Sequence, residues 1–332
     1  MVMERAGNMR EFCIACQAKS SQAVPPRAGH GTTAVTGILN LNKPSGLTSH
    51  DVVDRIRRAS GIRRVGHAGT LDPAASGVLL VCLGQATRVS EYLMDGRKSY
   101  DAQIRLGITT DTGDAEGRVI HSRSSINTTR AQVEKTLASF RGRVGQVPPM
   151  YSALKHEGKP LYELARRGLE VERAPRTVEI YDLRLIEWTP PSFRLFVECS
   201  RGTYVRVLAT DLGETLQTGA HLEHLVRTAS GHYTLEDAIP LNEAEHALSS
   251  GGWLRILHSL DEALLHFGAL VVDPEAEARI RHGQQVEGPE PLDTLLCRVY
   301  AHSGEFVALV QYDQENEKWQ PRKVFNPHEA NA

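Results

Sequence analysis

The chain has 332 residues, 41% hydrophobic and 23% charged, with a net charge of −2 and a pI near 6.7. That length has room for two domains on a prior of about 100–200 residues each, and the composition is ordinary for a globular protein in water. No apolar run approaches the ~18 residues of a membrane span, and the N-terminus lacks the basic, apolar, small-residue order of a secretion signal. Residues 1–36 are small and polar, with Pro and Gly and no periodicity, which predicts a disordered leader. Within it Cys13 and Cys16 form a CxxC without a second pair or a nearby βαβ pattern, so neither a metal nor a redox role is assigned to them. The five cysteines are odd in number and scattered, which suits a reducing, cytoplasmic setting better than a disulfide framework.

Order begins at "TGILNLNKPSGLTSHDVVDRIRRASG". Ile38, Leu39 and Leu41 predict a short strand, and Asn42 to Gly46 a turn. Thr48 followed at +3 by Asp51 is a capping pattern that starts a helix. Val52, Val53 and Ile56 form its inner face, Arg55, Arg57 and Arg58 lie near its C-terminus, and Gly61 stops it. In "RVGHAGTLDPAASGVLLVCLGQATR", Asp72 is the one acid between two small-residue turns. Pro73 pushes it toward an extended conformation, and Val78 to Leu83 predict a buried strand. Asp72 is therefore either a held, reactive carboxylate or a turn cap of the kind Asp often makes.

A helix is expected from Ala86 to Leu93. "YDAQIRLG" alternates, with Tyr100, Ala102, Ile104 and Leu106 on one face of a strand. "TTDTGDAEG" is a loop whose acids are out of calcium-loop order; its Asp111 and Asp114 have no evident reason to face Asp72. Thr129 and Gln132 predict a capping box on a helix that runs to Phe140. Residues 142–177 are polar, Pro-rich and basic, an excursion from the core rather than part of it. Arg141–Arg176 holds eight Lys/Arg against four Asp/Glu, whereas Val271–Cys297 holds two against six. A local basic face can meet phosphates on a chain that is neutral overall. "FRLFVECS" is a strand, "RGTYVRVLATDLGETL" a turn and short extended piece running into a helix, and the residues after about 265 a small β module.

Several chemistries lack their signatures. No GxxxxGK[ST] loop or GxGxxG after a strand seats a nucleotide or dinucleotide. No HExxH, paired CxxC or clustered His supports a metal, and no GxSxG elbow is present. A lone fixed carboxylate remains. An arginine within reach would favour its charged form, and Arg206, two residues after Tyr204 in an extended stretch, is the candidate. A paired-carboxylate glycosidase fits less well, because it needs a second acid beside the first.

Across about residues 37–327 these blocks, with "GQVPPMYSALKHEGKPLYELARRG", "CSRGTYVRVLATDLG" and "GAHLEHLVRT", resemble the bacterial tRNA pseudouridine-55 synthases of the TruB type. The resemblance implies an α+β catalytic domain at 37–264, with a mixed, largely antiparallel sheet flanked by helices. It also implies that 142–177 clamps RNA and that a β-rich, PUA-like RNA-binding domain occupies 265–328. The activity implied is isomerisation of a flipped-out T-loop uridine 55 of tRNA, with no cofactor, no metal and no obligatory protein partner. Asp72, the Asp of "GTLDP", matches the catalytic residue, Tyr100 the active-site tyrosine and Arg206 the arginine paired with Asp72. His67, Tyr204 and Leu225 match substrate contacts, Lys43 and Lys155 are expected at phosphates or in structural roles, and Arg227 is expected at a phosphate. The chain departs from the family at Val226, where a second arginine commonly precedes Arg227, in its acidic C-terminal module and in its leader, for which a misassigned start codon is the expectation. The alternatives are a non-catalytic RNA-binding or RNA-folding module and a pseudouridine synthase for another RNA.

Overall fold

The computed structural model describes residues 35–152, 154–291 and 293–326. The leader to residue 34, with Cys13 and Cys16, lies outside the described residues. A ten-stranded sheet organises the first 265 residues or so. Its main path runs Ile239–Pro240, Gly37–Lys43, Ser76–Leu83, Ala220–Ser230, Lys98–Leu106, Ser192–Cys199, Arg176–Thr189 and Gly142–Gln146. Two neighbour pairs are parallel, Gly37–Lys43 with Ile239–Pro240 and Ala220–Ser230 with Ser76–Leu83, and the others are antiparallel. The sheet is mixed and largely antiparallel, with helices against it.

Apolar patterning decides which face each element buries. The helix Ser49–Ser60 has the expected box, with Thr48 Oγ1 accepting from the Asp51 N–H and the Asp51 carboxylate accepting from the Thr48 N–H; Gly61 closes it in the left-handed region. Its Val52, Val53 and Ile56 join Leu39, Leu79 and Leu208 in the principal core. The alternate residues of the same strands face the other way. Ile38, Val78, Leu80 and Cys82 meet Leu93 and Leu264 in a second core, into which Leu309 and Phe325 of the C-terminal module also pack. Strands buried on both faces read as continuous apolar runs, which is why Val78 to Leu83 show no alternation.

Three boundaries differ from expectation. In place of one helix at 86–93, a 3₁₀ turn at Gly84–Val89 leads into a short helix at Ser90–Asp95. Neither start has a side-chain cap, so the α-helix is delayed while the chain turns off the strand. The excursion is shorter than 142–177: Gly142–Gln146 pairs with Arg176–Ile180 as the edge of the main sheet. Only the intervening stretch leaves the core, carrying the strands Lys155–His156 and Lys159–Pro160 and the helix Leu161–Arg166. The segment after Tyr204 is helical from Val205 to Thr215 rather than extended.

The C-terminal module is a four-stranded sheet, Gly268–Val272, Leu296–Ala301, Phe306–Asp313 and Lys318–Val324, with the helix Pro274–Arg281. It has its own core around Val299, Val310 and Trp319. Arg88 bridges the modules, donating to the Val324 carbonyl at 2.6 Å and lying 5.0 Å over the Phe325 ring. Among the described residues, no helix is long and apolar enough to cross a membrane.

Candidate active site

Asp72 sits on a turn held from three directions. Gly46 N–H donates to the Pro73 carbonyl at 2.9 Å and Ser45 Oγ to the Ala74 carbonyl at 3.0 Å. From the start of the first helix, the buried Ser49 hydroxyl both accepts from Leu71 N–H, at 2.9 Å, and donates to the Leu71 carbonyl, at 3.1 Å. From the central strand, Arg227 donates to the carbonyls of Gly69 and Thr70 at 3.1 and 3.3 Å. A turn with this many anchors has few alternative positions for its carboxylate.

Arg206, from the first turn of its helix, reaches Asp72 with Nε 3.5 Å from Oδ2, its side chain 5% exposed against 38% for Asp72. The guanidinium is shared. One nitrogen lies 3.5 Å from Asp114 Oδ2, and another donates to the Tyr151 carbonyl of the excursion. The expectation that Asp114 has no reason to face Asp72 is thus corrected: both acids sit on one arginine. Contacts remote in sequence bring Asp114 there. Leu222 N–H donates to the Gly113 carbonyl at 2.9 Å and Ala115 N–H to the Leu222 carbonyl at 3.0 Å, while Thr112 Oγ1 donates to Asp114 Oδ1 at 2.6 Å. Gly113, at φ +75, lies close enough to Thr210 and Arg206 that a Cβ would crowd them. That glycine was the available sequence signal, since it marks where a loop must approach another backbone.

The electrostatics are those of a partly dry cleft. Burial raises the Asp72 pKa, and Asp114 adds to the rise; Arg206, and more weakly Lys43, pull against it without reversing it. The arginine therefore offsets desolvation rather than producing an unusually strong acid. Burial likewise raises the phenols of Tyr100 and Tyr204, Arg227 opposing it at Tyr100 and a Ser152 hydrogen bond at Tyr204. His67 is lowered by burial, with Arg227 and His50 adding to the effect, so its imidazole is neutral at pH 7.

The other expected residues divide. Tyr204 precedes the helix of Arg206; its N–H donates to Gln146 Oε1 at 3.0 Å, and the Arg206 guanidinium lies 5.8 Å over its ring. His67 ends the strand Val65–His67 opposite Val81. Leu225 lies opposite Ala102, partly buried against the principal core. The side chain of Lys155 lies outside the described residues.

Two of the expected cations, Lys43 and Arg227, are inside the protein. Lys43 is fully buried, donating to the carbonyls of Leu47, Pro44 and Pro73 at 2.6, 2.9 and 3.2 Å. Burial, partly offset by Asp72, lowers its pKa to about 8. Arg227 is 1% exposed, and besides the two turn carbonyls it donates from Nε to the Val78 carbonyl at 2.6 Å. Both cations are thus held on backbone carbonyls inside the protein.

Two family models match the chain. One, described as the N-terminal domain of the TruB family pseudouridylate synthases, covers residues 57–205, and one described as the tRNA pseudouridylate synthase B C-terminal domain covers residues 206–265. The chain is 43% identical to the tRNA pseudouridine synthase B of Dehalococcoides mccartyi (strain ATCC BAA-2100) over 294 residues, 87% of this chain and 96% of that protein. It is 45% identical to the protein of the same name from Chromohalobacter salexigens over 300 residues, 89% of this chain and 95% of that one. Among solved structures, a chain of a Cbf5-Nop10-Gar1 complex is similar with a TM-score of 0.67 and 27% identity, covering 87% of this chain and 84% of that one. An H/ACA RNP bound to a substrate RNA containing 2'-deoxyuridine gives 0.66 and 25%, over 88% and 86%.

Proposed function

This chain belongs to the TruB family of pseudouridylate synthases, and from that membership we propose that it isomerises uridine 55 in the T-loop of tRNA, with Asp72 as its catalytic carboxylate. Within the target nucleotide the N1–C1' bond breaks, the uracil turns, a C5–C1' bond forms, and the C5 proton leaves as one is added at N1. Atoms balance without reductant, oxidant or group donor. The target base leaves its stack at a cost of a few kcal/mol and enters the cleft between Asp72, Tyr100 and Tyr204. The basic excursion and the PUA-like C-terminal module bind the T-arm and its surroundings. The protein acts in the cytoplasm, and no second protein is needed.

The observation that carries this reading is the Asp72 carboxyl, pinned on its turn and open to the cleft beside Arg206. Asp72 acts at the sugar–base linkage and must be ionised to do so. Arg206 orients it and steadies its charge, and Tyr100 supplies an aromatic face and a hydroxyl. A purely RNA-folding role is not favoured, since a surface that only binds polyanions gains nothing from an acid at the flipped base. The test uses a T-arm transcript tritiated at uracil C5, incubated with protein and no cofactor. Tritium release by the wild type and none by Asp72→Asn, with T-arm binding retained, is the expected result. Equal loss of binding and turnover would make Asp72 a structural turn residue.

A further inference from the structure

Arg227 is the buried hub of the site. It lies directly opposite Tyr100 on the neighbouring strand, so the two side chains share a face, and on its other side it pairs in register with Gly77. The approach there is close: Gly77 has φ +100, and a Cβ on it would lie 2.2 Å from the Arg227 carbonyl oxygen. The guanidinium donates to the carbonyls of Gly69 and Thr70, just before Asp72, and of Val78, in the strand that follows the turn. Across the strand pair its charge also acts on the phenol of Tyr100, opposing the rise that burial gives that group's pKa. No carboxylate pairs with Arg227 among the described residues, so its charge is held by carbonyl dipoles.

We propose that Arg227 is a positioning residue that holds the Asp72 turn in fixed relation to the Tyr100 strand and keeps a cation beside that phenol, rather than a contact to RNA phosphate. The proposal rests on the functional reading above. A planar guanidinium presents five donors in a rigid fork, which here ties the backbone before Asp72 and the strand after it into a single unit. The Tyr100 phenol oxygen has Arg227 as its cationic neighbour from the adjacent strand. Any negative charge that gathers on that oxygen during proton movement meets a fixed cation already in place. The charged and titratable neighbours of Tyr100 are Arg227, Cys199 and Asp72. Of these only Arg227 favours the phenolate, so its removal moves the phenol's titration upward.

The test compares Arg227→Gln and Arg227→Lys with wild type by three readouts: T-arm binding across salt, single-turnover conversion, and the ¹⁹F resonance of 3-fluorotyrosine placed at position 100. A positioning residue leaves the dissociation constant and its salt slope unchanged. It lowers single-turnover conversion about 100-fold or more in the Gln variant, at the low end of what a positioned proton-transfer group contributes, with partial rescue in the Lys variant. It also moves the fluorotyrosine titration up by at least one pH unit in the Gln variant. A salt slope reduced by about one, with weaker binding, would show a phosphate contact instead. Slower conversion with no change in the fluorotyrosine resonance or titration would reduce Arg227 to a structural staple. If the Gln variant fails to fold, the Lys variant decides by a displaced fluorotyrosine resonance and slower conversion at unchanged binding, their absence overturning the proposal. Tritium release by the wild type tests the enzymatic reading separately, and the fluorotyrosine coupling is read without substrate.

Discussion

At Asp72 the demands of stability and chemistry oppose each other. Its pKa in the folded state is raised, so the fold favours the protonated acid. The associated stability is fully present below the unfolded pKa, near 3.9, and is lost as pH rises through the higher folded value. Asp72→Asn removes the buried charge while keeping the shape. It should therefore melt at or above the wild-type temperature at pH 7.5, and the difference should shrink at pH 4.5; thermal melts at the two pH values check this. Activity should follow the opposite limb, with the wild-type single-turnover rate rising as Asp72 ionises at a midpoint above the ordinary carboxylate range. At Tyr100, a hydroxyl that moves a proton is worth about 10²–10⁴-fold. Tyr100→Phe should lose conversion on that scale, and a near wild-type rate would leave the ring with stacking alone, worth roughly 1–3 kcal/mol per base.

The elements around the turn act through their ends. The helix Ser49–Ser60 contributes to the site by its first residue, whose hydroxyl satisfies both the N–H and the carbonyl of Leu71. Ser49→Ala leaves both groups buried without that partner, at a cost of about 1–3 kcal/mol. Urea unfolding should show this loss together with slower single-turnover conversion at unchanged RNA affinity. Full stability in that variant would mean that the turn holds without the helix. Two strands away, Gly77 allows Ser76–Leu83 and Ala220–Ser230 to run side by side in parallel. Gly77→Ala puts a methyl into the Arg227 backbone and adds strain at a positive φ, so it should yield little folded protein where Ser76→Ala is tolerated.

Across the whole molecule, the far face of the main sheet is what the C-terminal module packs against. Phe325 is buried with Val78 and Leu80, residues of the strand that leads away from Asp72, and Lys323 donates to the Arg88 carbonyl at 2.5 Å from the same side. The module therefore braces the strand behind the Asp72 turn. Phe325→Ala should destabilise the protein by about 3–5 kcal/mol, the usual range for a buried Phe, and the two modules should unfold in one transition in calorimetry. A separate early transition of the C-terminal module alone would show that the seam transmits nothing.

Local chemistry was enough to mark the elements and the acid. The capping residues Thr48 and Thr129, the alternation through Tyr100 to Leu106 and the apolar run after Asp72 each encode their element within a few residues, because caps and side-chain periodicity are short-range. Asp72 stood out for the same reason, with Pro73 and the flanking glycines stiffening one turn. What the cations do was decided only by the tertiary structure. Lys43 and Arg227 have the composition of phosphate contacts, yet strand pairing at long sequence separation buries them against carbonyls. Asp114 looks like a loop residue until the Leu222 backbone and Arg206 draw it to the site. Charge is a local property of a residue; burial and partner are set by segments brought in from elsewhere in the chain, 30 residues away for the Pro73 carbonyl on Lys43 and 149 for the Val78 carbonyl on Arg227, and those determine whether a cation meets solvent or a buried carbonyl.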